Sequence, residues 1–229
     1  MKDKIITLLK KLVSVNSIYP NEKLLAEFVM NFIKSQSSDN ITIKKQLVEK
    51  NRFNILVEKG NAKKSILFYS HLDTVNSVNK KWLYDPFKLT IVKDNGYGLG
   101  SFDMKGGMAV NILTFLYYQP KNFKLKLAFV VDEENISKGG YSLLKNNFLD
   151  DVECILSPEP DFYFNGRGIT IGRSGRAVYE GKIIFKSLHY ALYEPKKDIN
   201  YLLADFIKNL KKLYKIKNKK KRIYFYKKN

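Results

Sequence analysis

The chain has 229 residues and is 45% hydrophobic, enough for one good-sized domain with a small appendage and too much for a disordered polymer. Its single cysteine, Cys154, excludes a disulfide framework, and no apolar run approaches the length of a membrane span. The formal charge of +19 resembles a nucleic-acid signal, but eleven cations lie between Phe206 and Asn229, where there is no acid, and elsewhere 30 basic side chains face 22 acidic ones.

The body is therefore only moderately basic. RNA or acidic-membrane contact is confined to the KNKKKR block at 217–222 with Tyr224, Phe225 and Tyr226, where a solvated terminus is the simpler reading. Nucleic acid is accordingly not expected as the main partner. The opening MKDKIITLLKKLV lacks the unbroken apolar segment of a secretion signal. Cys154 falls in a run that reads as a buried strand, and a reducing, cytoplasmic location is expected.

In chain order, Ile5–Val13 reads as a short helix. A second follows Pro20, with Asn21 as N-cap and apolar positions at Leu24, Leu25, Phe28, Val29, Phe32 and Ile33. Ile41–Leu47 alternates as a half-exposed strand. Asn54–Val57 and Ser65–Tyr69 are short apolar runs suited to the middle of a sheet, the second ending next to His71. Lys88–Lys93 and Tyr97–Leu99 form an expected hairpin through Asp94-Asn95-Gly96. Then come a helix (Met108–Tyr118), a strand (Leu125–Val131), a helix (Gly140–Asn147) and a strand (Val152–Leu156). This order predicts an α/β fold, a mixed and largely parallel sheet with helices on both faces. After Gly172 a long strand, Ala177–Phe185, precedes a helix from about Ile199 to Leu213, a pair too small to fold alone.

Acids and one histidine recur at the expected carboxyl ends of strands, where such sheets bind ligands. They are HLDTV at 71–75, GLGSFDMKGG at 98–107, DEE at 132–134 and SPEP at 157–160. In an extended chain Asp73 shares a side with His71 and can support its ring. Adjacent Glu133 and Glu134 diverge, so that one can face a metal while the other acts as a general base. Glu159 is aimed by its flanking prolines. Singly, each motif is equally a polar strand end, an acidic loop or a Pro-bounded turn.

Together, HLDTV, Trp82 with DPF at 85–87, GLGSFDMKGG, DEENISKGG, SPEP and GRSGRAVYEGK resemble the co-catalytic zinc aminoacylase and carboxypeptidase family. Acetylornithine deacetylase, succinyl-diaminopimelate desuccinylase and related dipeptidases represent it. The resemblance runs from Leu9 to about Leu213. It implies a zinc-dependent hydrolase cleaving an amide bond of an N-acyl amino acid or small peptide, with Co or Mn as possible substitutes for Zn. It also implies that His71, Asp103 and Glu159 hold one ion, that Asp103 bridges to a second bound by Glu134, that Glu133 is the general base and that Asp73 orients His71. A cis Asp103–Met104 peptide belongs to the same pattern.

By the same resemblance, residues 1–172 form the catalytic domain, 173–215 the first β-α part of an α+β lid and dimerisation domain, and 216–229 a basic tail. His189 matches the lid histidine that stabilises an oxyanion, and Asn200 falls near the lid's contacts to a substrate carboxylate. Tyr201 stands where the family usually has a small residue. Family members continue beyond the lid to a late histidine that completes the second metal site, whereas this chain has only His71 and His189. A chain truncated within the lid is therefore expected, holding one ion with the second incomplete. A catalytically impaired relative is the alternative reading, and a homodimer or a complementing polypeptide is the expected assembly.

Overall fold

The computed structural model describes residues 1–37, 40–77, 80–160, 168–172 and 198–217. Two units divide the chain, Met1–Thr170 and Ile171–Asn229. The first carries two helices, α1 (Lys2–Ser14) and α2 (Lys23–Gln36), then strands β1 (Ile41–Glu49), β2 (Arg52–Lys59) and β3 (Ser65–His71). A small hairpin, β4 (Thr90–Val92) with β5 (Asn95–Tyr97), precedes α3 (Lys105–Tyr117), β6 (Lys124–Val130), α4 (Lys138–Leu144) and β7 (Val152–Leu156). In the second unit the described element is α5 (Ile199–Lys217). The expected strand at 177–185, His189 and the tail beyond 217 lie outside the described residues.

The five-stranded sheet has the order β1-β2-β6-β3-β7. β2 runs antiparallel to both neighbours, while β6, β3 and β7 are mutually parallel. Four of the five strands thus share one direction, and β3, β6 and β7 are parallel as their crossover connections through α3 and α4 require. One face is covered by α1, α2 and α3 through Leu12, Leu25, Val29, Ile33, Met108 and Ile112 against Ile55, Leu127 and Phe129, all buried. Each such side chain contributes roughly 1.5–3 kcal/mol on burial. The other face packs Leu56, Leu67, Ala128 and Val130 beneath Leu143 of α4. Helices therefore lie on both faces.

Local chemistry shifts three expected features. The residue preceding α2 is Glu22 rather than Asn21, and its fully buried side chain is committed to Arg52 instead of capping the helix. The hairpin turns at Lys93-Asp94, because Val92 pairs with Asn95 and Lys93 takes the positive φ of 54°. Cys154 is exposed, not buried, because β7 is an edge strand with Ile155 and Leu156 also open. Among the described residues no helix is long and apolar enough to cross a membrane.

Candidate metal centre

Parallel pairing of β6, β3 and β7 delivers three outgoing loops to one edge of the sheet. His71 pairs with Val130 at the end of β6, and Phe68 pairs with Leu156 at the end of β7. Beyond those residues lie Asp132-Glu133-Glu134 and Ser157-Pro158-Glu159. Asp103 comes from the loop entering α3, whose Asn111 donates to the Tyr69 carbonyl and the Ser70 hydroxyl of β3 at 3.1 and 3.0 Å.

His71 is the hub. Its side chain is fully buried, and Nε2 stands 3.0 Å from Asp103 Oδ1 and 3.5 Å from Glu159 Oε1. Its Nδ1–H donates to the main-chain carbonyl of Asp73 at 2.9 Å. The Asp73 carboxylate is 3.6 Å away, so the hydrogen-bond partner of Nδ1 is the backbone carbonyl rather than the side chain expected from strand alternation. The reason is local: β3 ends at His71, and the chain turns before the alternation can continue. The buried Asp73 carboxylate instead accepts the N–H groups of Glu133 and Glu134 at 3.0 and 2.8 Å, tying the loop after β6 to the loop after β3.

Asp103 and Glu159 are partly open to solvent, at 31% and 15% of their side-chain surface. The Asp103–Met104 peptide is cis, and the Met104 sulfur accepts the His71 N–H at 3.2 Å. Gly107, in the first turn of α3, lies against the proline before Glu159. A Cβ there would come within 2.5 Å of the Pro158 carbonyl oxygen and 2.7 Å of its Cγ. Lys105 is buried, its Nζ donating to the Val15 carbonyl at 2.8 Å, and burial lowers its pKa to about 8.

One nitrogen and two carboxylate oxygens, from His71, Asp103 and Glu159, lie within 4.8 Å of one another. Zinc bonds of about 2.0–2.1 Å in a tetrahedron separate neighbouring ligand atoms by about 3.3 Å. The spacings of 3.0 and 3.5 Å from Nε2 bracket that value, so the donor set fits a divalent ion. Glu134 and Glu133 stand outside the triad but feel it. Burial, then the neighbouring Asp103, raises Glu134 to about 7. Burial also raises Glu133 from the usual carboxylate range, with Glu159, Asp73 and Asp103 adding to the effect. Burial opposes charge on His71, but Asp103, Asp73 and Glu159 overcome it and hold the imidazole well above its ordinary range. The cluster is short of positive charge.

A second polar cluster, missed in the sequence, lies just behind. Arg52, 6% exposed, donates to both oxygens of Glu22 at 2.9 and 2.5 Å, to Glu49 at 2.6 Å and to Asp132 at 3.0 Å. The one legible signal is that Arg52 is one of only five arginines among 41 basic residues. Of the remaining expected residues, His189 lies outside the described part. Asn200 is exposed in the first turn of α5, where its N–H donates to Asp198 at 2.7 Å.

A family model, Peptidase family M20/M25/M40, matches residues 67–222. An acetylornithine deacetylase from Buchnera aphidicola is 32% identical over 158 residues, covering 66% of this chain and 41% of that relative. A probable succinyl-diaminopimelate desuccinylase from Staphylococcus aureus strain Mu50 is 30% identical over 173 residues, covering 71% and 42%. The chain thus spans about two fifths of the length of these curated relatives. Among solved structures, human carnosine dipeptidase 1 superposes with a TM-score of 0.60 at 21% identity, over 68% of this chain and 38% of that one. An M20 family metallo-carboxypeptidase from Sulfolobus solfataricus gives the same score and identity over 73% and 39%. At that identity both report the fold.

Proposed function

Because the chain belongs to peptidase family M20/M25/M40, we propose that it is a metal-dependent hydrolase cleaving an amide bond of an N-acyl amino acid or a small peptide. The observation that carries this reading is the convergence of His71, Asp103 and Glu159 at the carboxyl edge of the sheet, with Glu133 and Glu134 held beside them by Asp73. The named relatives act on acetylornithine and succinyl-diaminopimelate, which are small acylated amino acids.

In this reading His71, Asp103 and Glu159 hold one ion, zinc by preference with cobalt or manganese as substitutes, and Asp103 extends toward a second position served by Glu134. A divalent ion there supplies Lewis acidity toward a carbonyl oxygen and makes water more acidic. Glu133 accepts the proton of the attacking water and returns it to the leaving nitrogen, and its raised proton affinity brings it closer to neutral pH for that exchange. Asp73 keeps Nε2 of His71 available as a ligand by fixing the proton on Nδ1. Residues 1–172 serve as the catalytic domain, and 173–215 as the start of a lid through which a second copy or a complementing polypeptide supplies further groups. His189 and Asn200 belong to that contribution.

The test is amide hydrolysis by purified protein loaded with zinc or cobalt, using N-acetyl and N-succinyl amino acids and dipeptides. Glu133→Ala is expected to lower the rate by about two to four orders of magnitude with folding unchanged. Equal rates for the two proteins would remove Glu133 from the mechanism. A second reading, a chain that holds one ion without turnover, is favoured by the single three-ligand group among the described residues. Two tightly held ions per chain by elemental analysis would exclude it.

A further inference from the structure

Arg52 and Asp132 are brought together by sheet register. β2 pairs antiparallel with β6 up to Ile55 opposite Phe129, and Arg52 and Asp132 each lie three residues beyond that last pair, where their side chains meet. Arg52 also pairs directly with Glu49 across the β1–β2 hairpin. The contacts close into a ring. Arg52 Nη2 donates to Asp132 Oδ1, and Asp132 Oδ2 accepts the Lys138 N–H at 2.9 Å. The Lys138 ammonium pairs with Glu49, whose other oxygen returns to Arg52 Nη1.

Asp132 is the keystone of the turn as well as of the ring. It is fully buried and takes a positive φ of 72°, a strained conformation for a non-glycine residue. Its main-chain carbonyl accepts from Ser137 N at 2.7 Å, so the segment 132–138 is closed at both ends by this one residue. The two residues that follow, Glu133 and Glu134, are then held by their N–H groups on Asp73. The turn is therefore pinned between two buried carboxylates. One belongs to the loop after β3, and the other is anchored on an arginine that touches neither His71, Asp103 nor Glu159.

We propose that the Arg52–Asp132 pair is a positioning device that presets the Glu133–Glu134 turn against the His71 loop before any ligand arrives. The proposal rests on the roles given above to Glu133 and Glu134. Arg52 supplies a permanent charge in a rigid fork, which a lysine cannot reproduce at three carboxylates at once. The device predicts local order in one turn, not merely global stability.

The experiment is amide hydrogen exchange by NMR on the full 229-residue chain without metal, comparing wild type with Asp132→Ala, Asp132→Asn and Arg52→Lys. For Asp132→Ala, the Glu133 and Glu134 amides are expected to exchange about tenfold or more faster, while β3 and β6 core amides keep their protection. Asp132→Asn and Arg52→Lys keep the volume and are expected to shift the same two amides by a few-fold, and they serve if the alanine variant does not fold. A uniform loss of protection across the sheet overturns the proposal and makes the pair an ordinary structural bridge. A cobalt titration read by visible absorption follows, with Glu134→Gln as control. If Glu134→Gln weakens cobalt binding and Asp132→Ala does not, the proposal falls. If Glu134→Gln itself changes nothing, the ligand role of Glu134 fails, and the exchange pattern alone decides the positioning role.

Discussion

Two clusters of carboxylates flank the end of β6, one residue apart in sequence, and they are built in opposite ways. Around Asp132, the acids Glu22, Glu49 and Asp132 surround a buried guanidinium and a lysine, with their charge met from within the chain. Around Glu133 and Glu134, the acids Asp73, Asp103 and Glu159 face a single imidazole. The proton affinities follow this division. Burial works against the charge on Asp132, but the Lys138 N–H and Arg52 outweigh it and hold its carboxyl below the usual range, while Glu134 is raised to about 7. An acid cluster that carries its own cation is finished structure, whereas one that lacks it is prepared for a cation from outside.

The contrast can be broken most directly at Arg52. Arg52→Ala strands the buried Glu22 and Asp132 and is expected to cost about 3–5 kcal/mol, read by denaturant unfolding of the metal-free protein. A loss below about 1 kcal/mol would mean that these acids find other partners and that the two clusters are not different in kind. Supplying the missing cation is the next largest effect. Zinc or cobalt at a hundred times its dissociation constant should stabilise the fold by about 2.7 kcal/mol. Chelation should reverse the gain, and His71→Ala should abolish it in a thermal melt.

The finest test is one of sign. In the metal-free protein Glu134 holds its proton to about pH 7, whereas an exposed glutamate releases it near 4.5. Its contribution to stability is full below pH 4.5 and is lost as pH rises toward 7, because the folded state then binds more protons than the unfolded one. Glu134→Gln removes that cost. The variant is expected to exceed wild type by roughly 1 kcal/mol at pH 8, after discounting for solvent screening, and to match it at pH 4. Removing charge from one cluster thus strengthens the fold, and removing it from the other weakens it.

The fold was largely legible because its strands carry strong apolar runs and its helices a clear period. Helix α2 and strands β2, β3 and β6 lie within a few residues of where periodicity puts them. Strand and helix ends, where α/β sheets gather ligands, made the acids and His71 legible as candidates, but grouping His71, Asp103 and Glu159 together came from the family resemblance of their motifs. Arg52 was not, since its partner is fixed by β2 pairing with β6, strands separated in sequence by β3, two hairpin strands and α3. Cys154 was misjudged for a related reason. An apolar run reads alike in the middle of a sheet or at its edge, and only strand order tells them apart. The contact between Asp73 and His71 depended on a main-chain turn that side-chain alternation does not encode.

The absent side chain of Gly107 has a consequence for tolerance. Metal ligands must be placed to within about 0.2 Å of their bonding distance, finer than a long side chain can guarantee. Here α3, which Asp103 introduces, and the loop that carries Glu159 abut main chain to main chain, at a clearance a single methyl group would exceed. The spacing of Asp103 and Glu159 is thus set by the thickness of a polypeptide backbone, and a substitution at this glycine would shift the two carboxylates apart while leaving both in the chain.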